Sequence, residues 1–450
     1  MRLDSMMGIQ HILLITIDSL RYDQAFQLNE CQDCAPTLSR LANESISFTQ
    51  AIANGPNTPS SFPSILTGTH PLMYGGYRYL DEQRPFLSTS FNEVGYRTVG
   101  YHSNPHLGPE KNYNAGFDVF NNGEEETDSV NTVINFVDEH IDSDSRLYSI
   151  LRRIWHIVGS TTGTSAYDPA ASISDDAVEW ITDFEEDRFF MWLHYMDVHY
   201  PFQPPNEHLE AIGHEPLSAR RVASLNDAME EHPESLSERD IEDLKALYRG
   251  ELHYVDHEIG RVLDALADEG LRDETMVIVT ADHGEAFGEH GRWGHHPYMY
   301  DELLRVPLII DDPNREPETI DKQVSLIDLF PTICDACDIE RPPELQGENL
   351  YEKDEGVELA TSNGGERLAA RTSEWKCLWH VEEEQVELYD LSNDPKETED
   401  VSESNPEVVD RLQDEMGKYL EEARLTDTET PEVEESDDVK QRLRALGYTE

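Results

Sequence analysis

The sequence predicts an α/β protein, with one large domain over residues 1–355 on a mainly parallel sheet and a small α+β unit over 356–450. Three observations carry this. Short, wholly apolar runs recur, as strands covered on both faces require. They alternate with longer segments of helical apolar period. Beyond about residue 360 the pattern changes to short runs that read as antiparallel strands.

Taken in order, residues 11–17 (HILLITI) form the first strand. It ends at Asp18, which puts a carboxylate at a strand's carboxyl end, where such sheets place their ligand sites. Further strands are expected over 97–102, 189–196 (FFMWLHYM), 275–281 (TMVIVTA) and 306–310. Helices are expected over 36–44, 61–67, 239–268 and 325–337, with Gly270 closing the longest. Acidic inserts interrupt this pattern near 122–160 and 206–240. Within the first, SRLYSILRRIWHIVG (145–159) is basic and amphipathic; it reads as a helix packed on the domain rather than a lid or a membrane-surface helix. In the C-terminal unit, ERLAARTSEWKCLWHV and EQVELYDL supply strands, and a helix follows over 405–423. TDTETPEVEESDD then reads as a mobile acidic linker before a last short helix, VKQRLRALGY.

Charge narrows the partners. The chain carries 93 acidic against 34 basic residues, a net −59, and 38% hydrophobic residues, enough for a genuine core. So acidic a surface repels nucleic acid and anionic lipid, which excludes both as partners. At molar salt the screening length falls to about 3 Å, and the self-repulsion becomes tolerable. Only eight of the basic residues are Lys. We read a salt-adapted protein of the haloarchaeal kind. The start, MRLDSMMGIQ, lacks the apolar core of a secretory signal, and no apolar run approaches the ~20 residues of a membrane span, so a cytoplasmic location is expected. The close pairs Cys31/Cys34 and Cys334/Cys337 each have half a zinc site's spacing, but buried or reduced thiols are the default.

The chemistry lies in two stretches. TADHGEAFGEHG follows the strand at 275–281 and offers Asp282 and His283 to a cation; Asp18, at another strand end, adds a second carboxylate. GPNTPSSFPSILTG (55–68) sets Thr58, Ser60 and Ser61 before an apolar helix. Hydroxyls there ordinarily cap helices. The same place suits an anionic ester, because free N–H groups and the positive helix end face it.

Together ITIDSLRYD, the run from Ala51 to ILTGTHP, VTADHGEAFGEHGRWGHHPYMYDELLRVPLII, VSLIDLFPTICDACDIERPPELQGENL and EWKCLWH…ELYDLSNDPKET resemble the sulfatase family of the alkaline-phosphatase superfamily, in the right order over nearly the whole chain. The resemblance implies an alkaline-phosphatase-like α/β/α sandwich with a small C-terminal sheet. It implies a small anionic ester as substrate, hydrolysed as a sulfate or phosphate ester. It implies Asp18, Asp282 and His283 as ligands of one divalent metal ion (Ca, Mg, Mn or Zn), and it places the catalytic residue, also a metal ligand, at Thr58. His199 matches the histidine that contacts the ester. The family's first lysine falls at Ser103 or Asn104, with His106 as the nearby histidine, and its second at His295 or His296. Ser19 stands where many members have a second metal aspartate.

The departures matter. Sulfatases place Cys or Ser at the catalytic position, Pro two residues on and Arg four on, and oxidise the first to formylglycine. Here those positions are Thr58, Ser60 and Phe62. Threonine cannot give an aldehyde, so no formylglycine is expected, and phosphate esters are favoured over sulfate esters. Ser60 or Ser61 serving a true sulfatase, a second metal on Asp197, His199 and His296, transfer to an alcohol, and a catalytically silent binding protein remain as alternatives.

Overall fold

The computed structural model describes residues 8–25, 34–123, 167–185, 188–295, 297–431, 433 and 435–446. The 145–159 segment and His296 lie outside these. Ten strands belong to the large domain: β1 (His11–Ile17), β2 (Ile46–Ile52), β3 (Arg97–Tyr101), β4 (Val119–Asn121), β5 (Phe189–Tyr195), β6 (Thr275–Ala281), β7 (Ala286–Phe287), β8 (Trp293–Gly294), β9 (Arg305–Asp311) and β10 (Glu318–Ser325). Eight form one sheet in the order β10-β2-β9-β6-β1-β5-β3-β4, with β7 and β8 pairing apart. All neighbours run parallel except β9, which is antiparallel to both β2 and β6.

Strands β1, β5 and β6 are buried at every residue, which for a pleated strand means that both faces are covered. The Glu238–Asp268 helix packs against Pro36–Glu44 and Ala170–Thr182; a separate group joins Thr58–Thr67 to Leu87–Glu93 and Leu329–Ala336. The long helix begins at a capping box, in which Ser237 and Asp240 satisfy each other's backbone N–H. Registration is what matters for function. Ile17 lies level with Tyr195 on one side and Ala281 on the other, so Asp18 emerges between Met196 and Asp282.

The small unit is an antiparallel sheet of β11 (Glu358–Ser362), β12 (Arg367–Arg371), β13 (Trp375–His380) and β14 (Gln385–Asp390), covered by the Pro406–Leu425 helix. It is fused to the large domain by an apolar seam of Ile52, Met299 and Leu304 with Ala360, Leu378 and Tyr389. Beside the seam the buried Lys376 ammonium lies 2.9 Å from Asp301 Oδ1 and 2.8 Å from Glu397 Oε1, and Arg371 holds the other Asp301 oxygen.

Three expectations change. The helix expected from residue 61 starts at Thr58, and its cap is Asn57, whose side chain accepts the Ser60 N–H; the hydroxyls are not the caps. Cys34 is buried and disulfide-bonded rather than a reduced thiol, whereas Cys334 and Cys337 are free. The acidic stretch before the last helix is anchored on the large domain, through Thr428 to Asp81 and Glu435 to Lys111, and the helix expected from VKQRLRALGY follows it (Asp437–Ala445), with Val439, Leu443 and Leu446 buried. Spacings of four and three put these on one helix face. No described helix is long and apolar enough to cross a membrane.

Two stability measurements follow. Lys376→Ala leaves Glu397 without its cation and Asp301 with Arg371 alone beside the seam, and is expected to cost about 3–5 kcal/mol in urea unfolding at molar KCl. Asp256 accepts the Thr37 and Leu38 N–H groups at 2.9 and 2.7 Å, yet burial pushes its carboxyl up to about 6. A folded-state value above the unfolded one gives stability that is greatest at low pH and is lost as pH rises through about 6. In Asp256→Asn the urea midpoint should therefore fall less between about pH 4 and pH 7 than in the parent.

Candidate active site

The site is assembled at the carboxyl ends of β1, β5 and β6 and the start of the Thr58–Thr67 helix. The chain turns sharply after β1: Ser19 is left-handed at φ 58°, and its hydroxyl donates to Asp18 Oδ1 at 3.0 Å. Tyr248 of the long helix fixes that turn, donating to the Ser19 carbonyl at 2.8 Å and accepting the Arg21 N–H at 3.0 Å. After β6 the backbone passes so close to Glu302 that a Cβ on Gly284 would lie 2.0 Å from its carbonyl oxygen, so only glycine fits. Ser61 donates to the Asp282 carbonyl at 2.6 Å and ties the Thr58–Thr67 helix to this strand end.

Asp18, Asp282 and His283 converge, with ligand atoms all within 4.8 Å of one another and no solvent exposure. His283 Nδ1 faces the Gly284 carbonyl at 2.9 Å. A carbonyl only accepts, so Nδ1 carries the proton and Nε2 turns its lone pair toward Asp18 and Asp282, at 3.4 and 3.5 Å. Asp282 Oδ2 is fully buried without a hydrogen-bond partner. Burial and then the charge of Asp18 push the Asp282 carboxyl well up; burial also opposes ionisation of Asp18, but His199, His194 and His283 hold that carboxyl well below its ordinary value. Two buried carboxylates with an outward imidazole lone pair fit a divalent cation, in donor type and in charge.

Thr58 stands beside this cluster. Its hydroxyl is 3.2 Å from Asp18 Oδ2 and 3.4 Å from His283 Nε2. Asn104 reaches the same oxygens, with Nδ2 2.9 Å from Asp18 Oδ2 and 3.5 Å from Thr58 Oγ1. Its Oδ1 accepts the His106 N–H at 2.8 Å, which locks the amide's orientation. Ser60 is engaged with Asn57 and Ser61 with Asp282, so neither hydroxyl is directed at the cluster.

His199 lies on a loop pinned by the buried Glu251 carboxylate, which accepts the N–H of Val198 at 3.1 Å; Val198 itself is strained at φ 90°. Burial holds the His199 imidazole down to about 4, and its Nδ1 faces the Tyr200 carbonyl, so the neutral ring keeps a lone pair on Nε2. The His295 ring touches both other imidazoles in tilted contacts, its centroid 4.6 Å from that of His199 and 4.9 Å from that of His283. Its Nδ1 is 3.2 Å from Glu285 Oε2, a carboxyl raised by burial to about 7. Burial also holds the imidazole of His106 well below its usual range.

The alternative of a second metal rests on Asp197, His199 and His296. Asp197 accepts the Ala170 N–H at 2.7 Å at the start of the Ala170–Thr182 helix, and the described residues within reach of one ion at this site include neither Asp197 nor His199. His296 lies outside the described residues. Two residues join unannounced: Glu285, and His194 on β5, whose Nε2 lies 3.4 Å from Asp18 Oδ2. A histidine inside an otherwise apolar strand was the only signal for the latter.

Comparison with known proteins agrees with this architecture. The chain is 28% identical over 420 residues to an uncharacterized sulfatase, YidJ, of Escherichia coli, covering 86% of this chain and 82% of that one. It is 24% identical over 466 residues to an arylsulfatase of Clostridium perfringens, covering 91% and 94%. Among solved structures, the phosphonate monoester hydrolase of Agrobacterium radiobacter superposes with a TM-score of 0.70 at 20% identity over 92% of this chain and 96% of that one. A 2-O GAG sulfatase superposes at 0.67 and 18% identity, covering 98% and 97%. At such identities these superpositions speak for the fold alone. The family model for sulfatases matches residues 10–339, well over half of the chain, and the protein belongs to the sulfatase family of ester hydrolases.

Proposed function

We propose that the protein is a metal-dependent hydrolase of phosphate esters that uses Thr58 as its nucleophile. The observation carrying this reading is the Thr58 hydroxyl, held 3.2 Å from Asp18 and 3.4 Å from His283 on the first residue of a helix. A divalent cation bound by Asp18, Asp282 and His283 supplies positive charge that lowers the hydroxyl's pKa and offsets charge building on the ester. The helix N–H groups bind the anionic head. Asn104 Nδ2 stands where a lysine would otherwise contact it, as a neutral donor in place of a charge.

Thr58 passes its proton to the Asp18 carboxylate that its hydroxyl faces, and from there to solvent, as Oγ bonds to phosphorus and the ester P–O bond breaks; the departing oxygen takes a proton. His295, oriented by Glu285, is placed to give that proton, and the His199 lone pair is placed to accept one from the water that later cleaves the threonyl ester. Oxidation of a secondary alcohol gives a ketone, so the aldehyde route is closed to Thr58. A threonyl phosphate is cleaved by water at phosphorus, whereas a threonyl sulfate resists that step; this favours phosphorus over sulfur. Similarity to a protein named arylsulfatase supports the competing reading. The net charge of −59 supports a salt-rich working solvent.

The test is turnover in molar KCl of p-nitrophenyl phosphate, bis-p-nitrophenyl phosphate and p-nitrophenyl sulfate. The phosphorus esters should be preferred. Thr58→Ala should lose at least ~1000-fold in kcat, while Ser60→Ala, whose hydroxyl only braces Asn57, should stay within about threefold. Preference for the sulfate, or loss in Ser60→Ala with Thr58→Ala intact, contradicts the assignment. Metal binding has its own readout. Restoring a divalent ion to chelator-treated protein at about 100 times Kd should stabilise it by about 2.7 kcal/mol, and Asp282→Asn should abolish that gain.

A further inference from the structure

The C-terminal segment crosses the rim of this site, and its contacts are specific. At its start Thr426 accepts the Tyr74 N–H at 3.3 Å, and Thr428 donates to Asp81 at 3.1 Å. Gly75, left-handed at φ 82°, has no room for a side chain: a Cβ would lie 2.6 Å from Thr430 and 2.8 Å from the Thr428 carbonyl. Glu435 then pairs with the nearly buried Lys111 at 3.1 Å. The Asp437–Ala445 helix packs on the Pro105–Leu107 turn, and Leu446 closes over Tyr167 and Met196. At this crossing the Arg442 guanidinium donates to the Ser103 carbonyl.

That carbonyl belongs to the residue immediately before Asn104, whose amide touches both Asp18 and Thr58. Among the described residues, the hydrogen bonds that Ser103 and Asn104 make outside the metal cluster are mostly local. Asn104 Oδ1 and its backbone carbonyl are spent within the turn, on His106 and Leu107, and the Ser103 hydroxyl reaches only the Asp168 carbonyl at 3.3 Å. Lys111 and Arg442 flank it, one neutralised by the tail and the other supplied by it. We propose that Arg442 is a positioning residue for catalysis: by clamping the Ser103 carbonyl, the docked tail fixes Asn104 against Thr58 and Asp18. This rests on the functional reading above for what Asn104 does, but not for the clamp itself. It gives the last helix a task in a chain where position 104 carries no charge, since the cation stands one step back and acts through the backbone.

The test is a double-mutant cycle on the full chain in molar KCl, because residues acting through one another do not add. Arg442→Gln should lower kcat/KM for p-nitrophenyl phosphate by about 10-fold or more, with the loss in kcat, as displacement of a catalytic group does. Arg442→Lys, which keeps one donor and the charge, should recover most of it. In an Asn104→Ala background Arg442→Gln should cost no more than about twofold. Should Arg442→Gln fail to fold, Glu435→Lys lifts the same tail by setting like charge against Lys111, and the same pattern is expected. Losses that multiply, or full activity in a folded Arg442→Gln, overturn the proposal. If the parent turns over none of the esters, the functional reading fails separately, and the cycle is read on inorganic phosphate binding by calorimetry. There, weaker binding in Arg442→Gln that vanishes in Asn104→Ala supports the clamp; additive losses, or no phosphate binding by the parent, overturn it.

Discussion

Two carboxylates, Asp18 and Asp282, are buried side by side at the ends of neighbouring strands, and much of the surrounding structure answers that constraint. Like charges so close in a dry setting cannot both stay ionised without compensation. Among the described residues no lysine or arginine pairs with them: their partners are hydroxyls, an amide and imidazoles. A hydrophobic core would never retain such a pair for stability. The His283 tautomer, the Ser19 turn and the anchoring of Asp282 by Ser61 all hold the two in place rather than apart.

Around that pair the chain is built to be stiff. The long helix contributes Tyr248 to the Asp18 turn and Glu251 to the His199 loop, so one element orients two sides of the site. The small C-terminal sheet is locked on by an apolar seam and the buried Lys376 cluster rather than by surface pairing. A preorganised site suits the chemistry, since a hydroxyl nucleophile gains little unless acceptor, cation and ester are already in line.

Much of this was legible in the sequence. Asp18, Asp282 and His283 stand out because each breaks an apolar run at its carboxyl end, and parallel register then brings the two strand ends level. Thr58 was legible only by its spacing to Thr67 and Gly68 in a recognisable pattern. Other features left no such mark. Glu285 is one of 93 acidic residues, and nothing in its neighbourhood separates it from a solvated one. Strands β2 and β10 are amphipathic and polar enough to read as loops. The acid content of 426–438 reads as a solvated linker because its anchors, Asp81 for Thr428 and Lys111 for Glu435, are distant in sequence; the last helix, with Val439, Leu443 and Leu446 on one face, was legible. Which hydroxyl faces the Asp18–Asp282–His283 cluster, Thr58 rather than Ser60 or Ser61, depended on long-range partners that no local pattern encodes.

The central claim is that the Thr58 oxygen becomes covalently bonded to the transferred group. Rapid acid quench of the metal-loaded enzyme with p-nitrophenyl phosphate in molar KCl, followed by peptide mapping by mass spectrometry, tests it directly. A phosphoryl adduct on Thr58, formed within the first turnover and absent when substrate is omitted, is the predicted result. An adduct on Ser60 or Ser61, or turnover with the Thr58 peptide unmodified at every quench time, would contradict it.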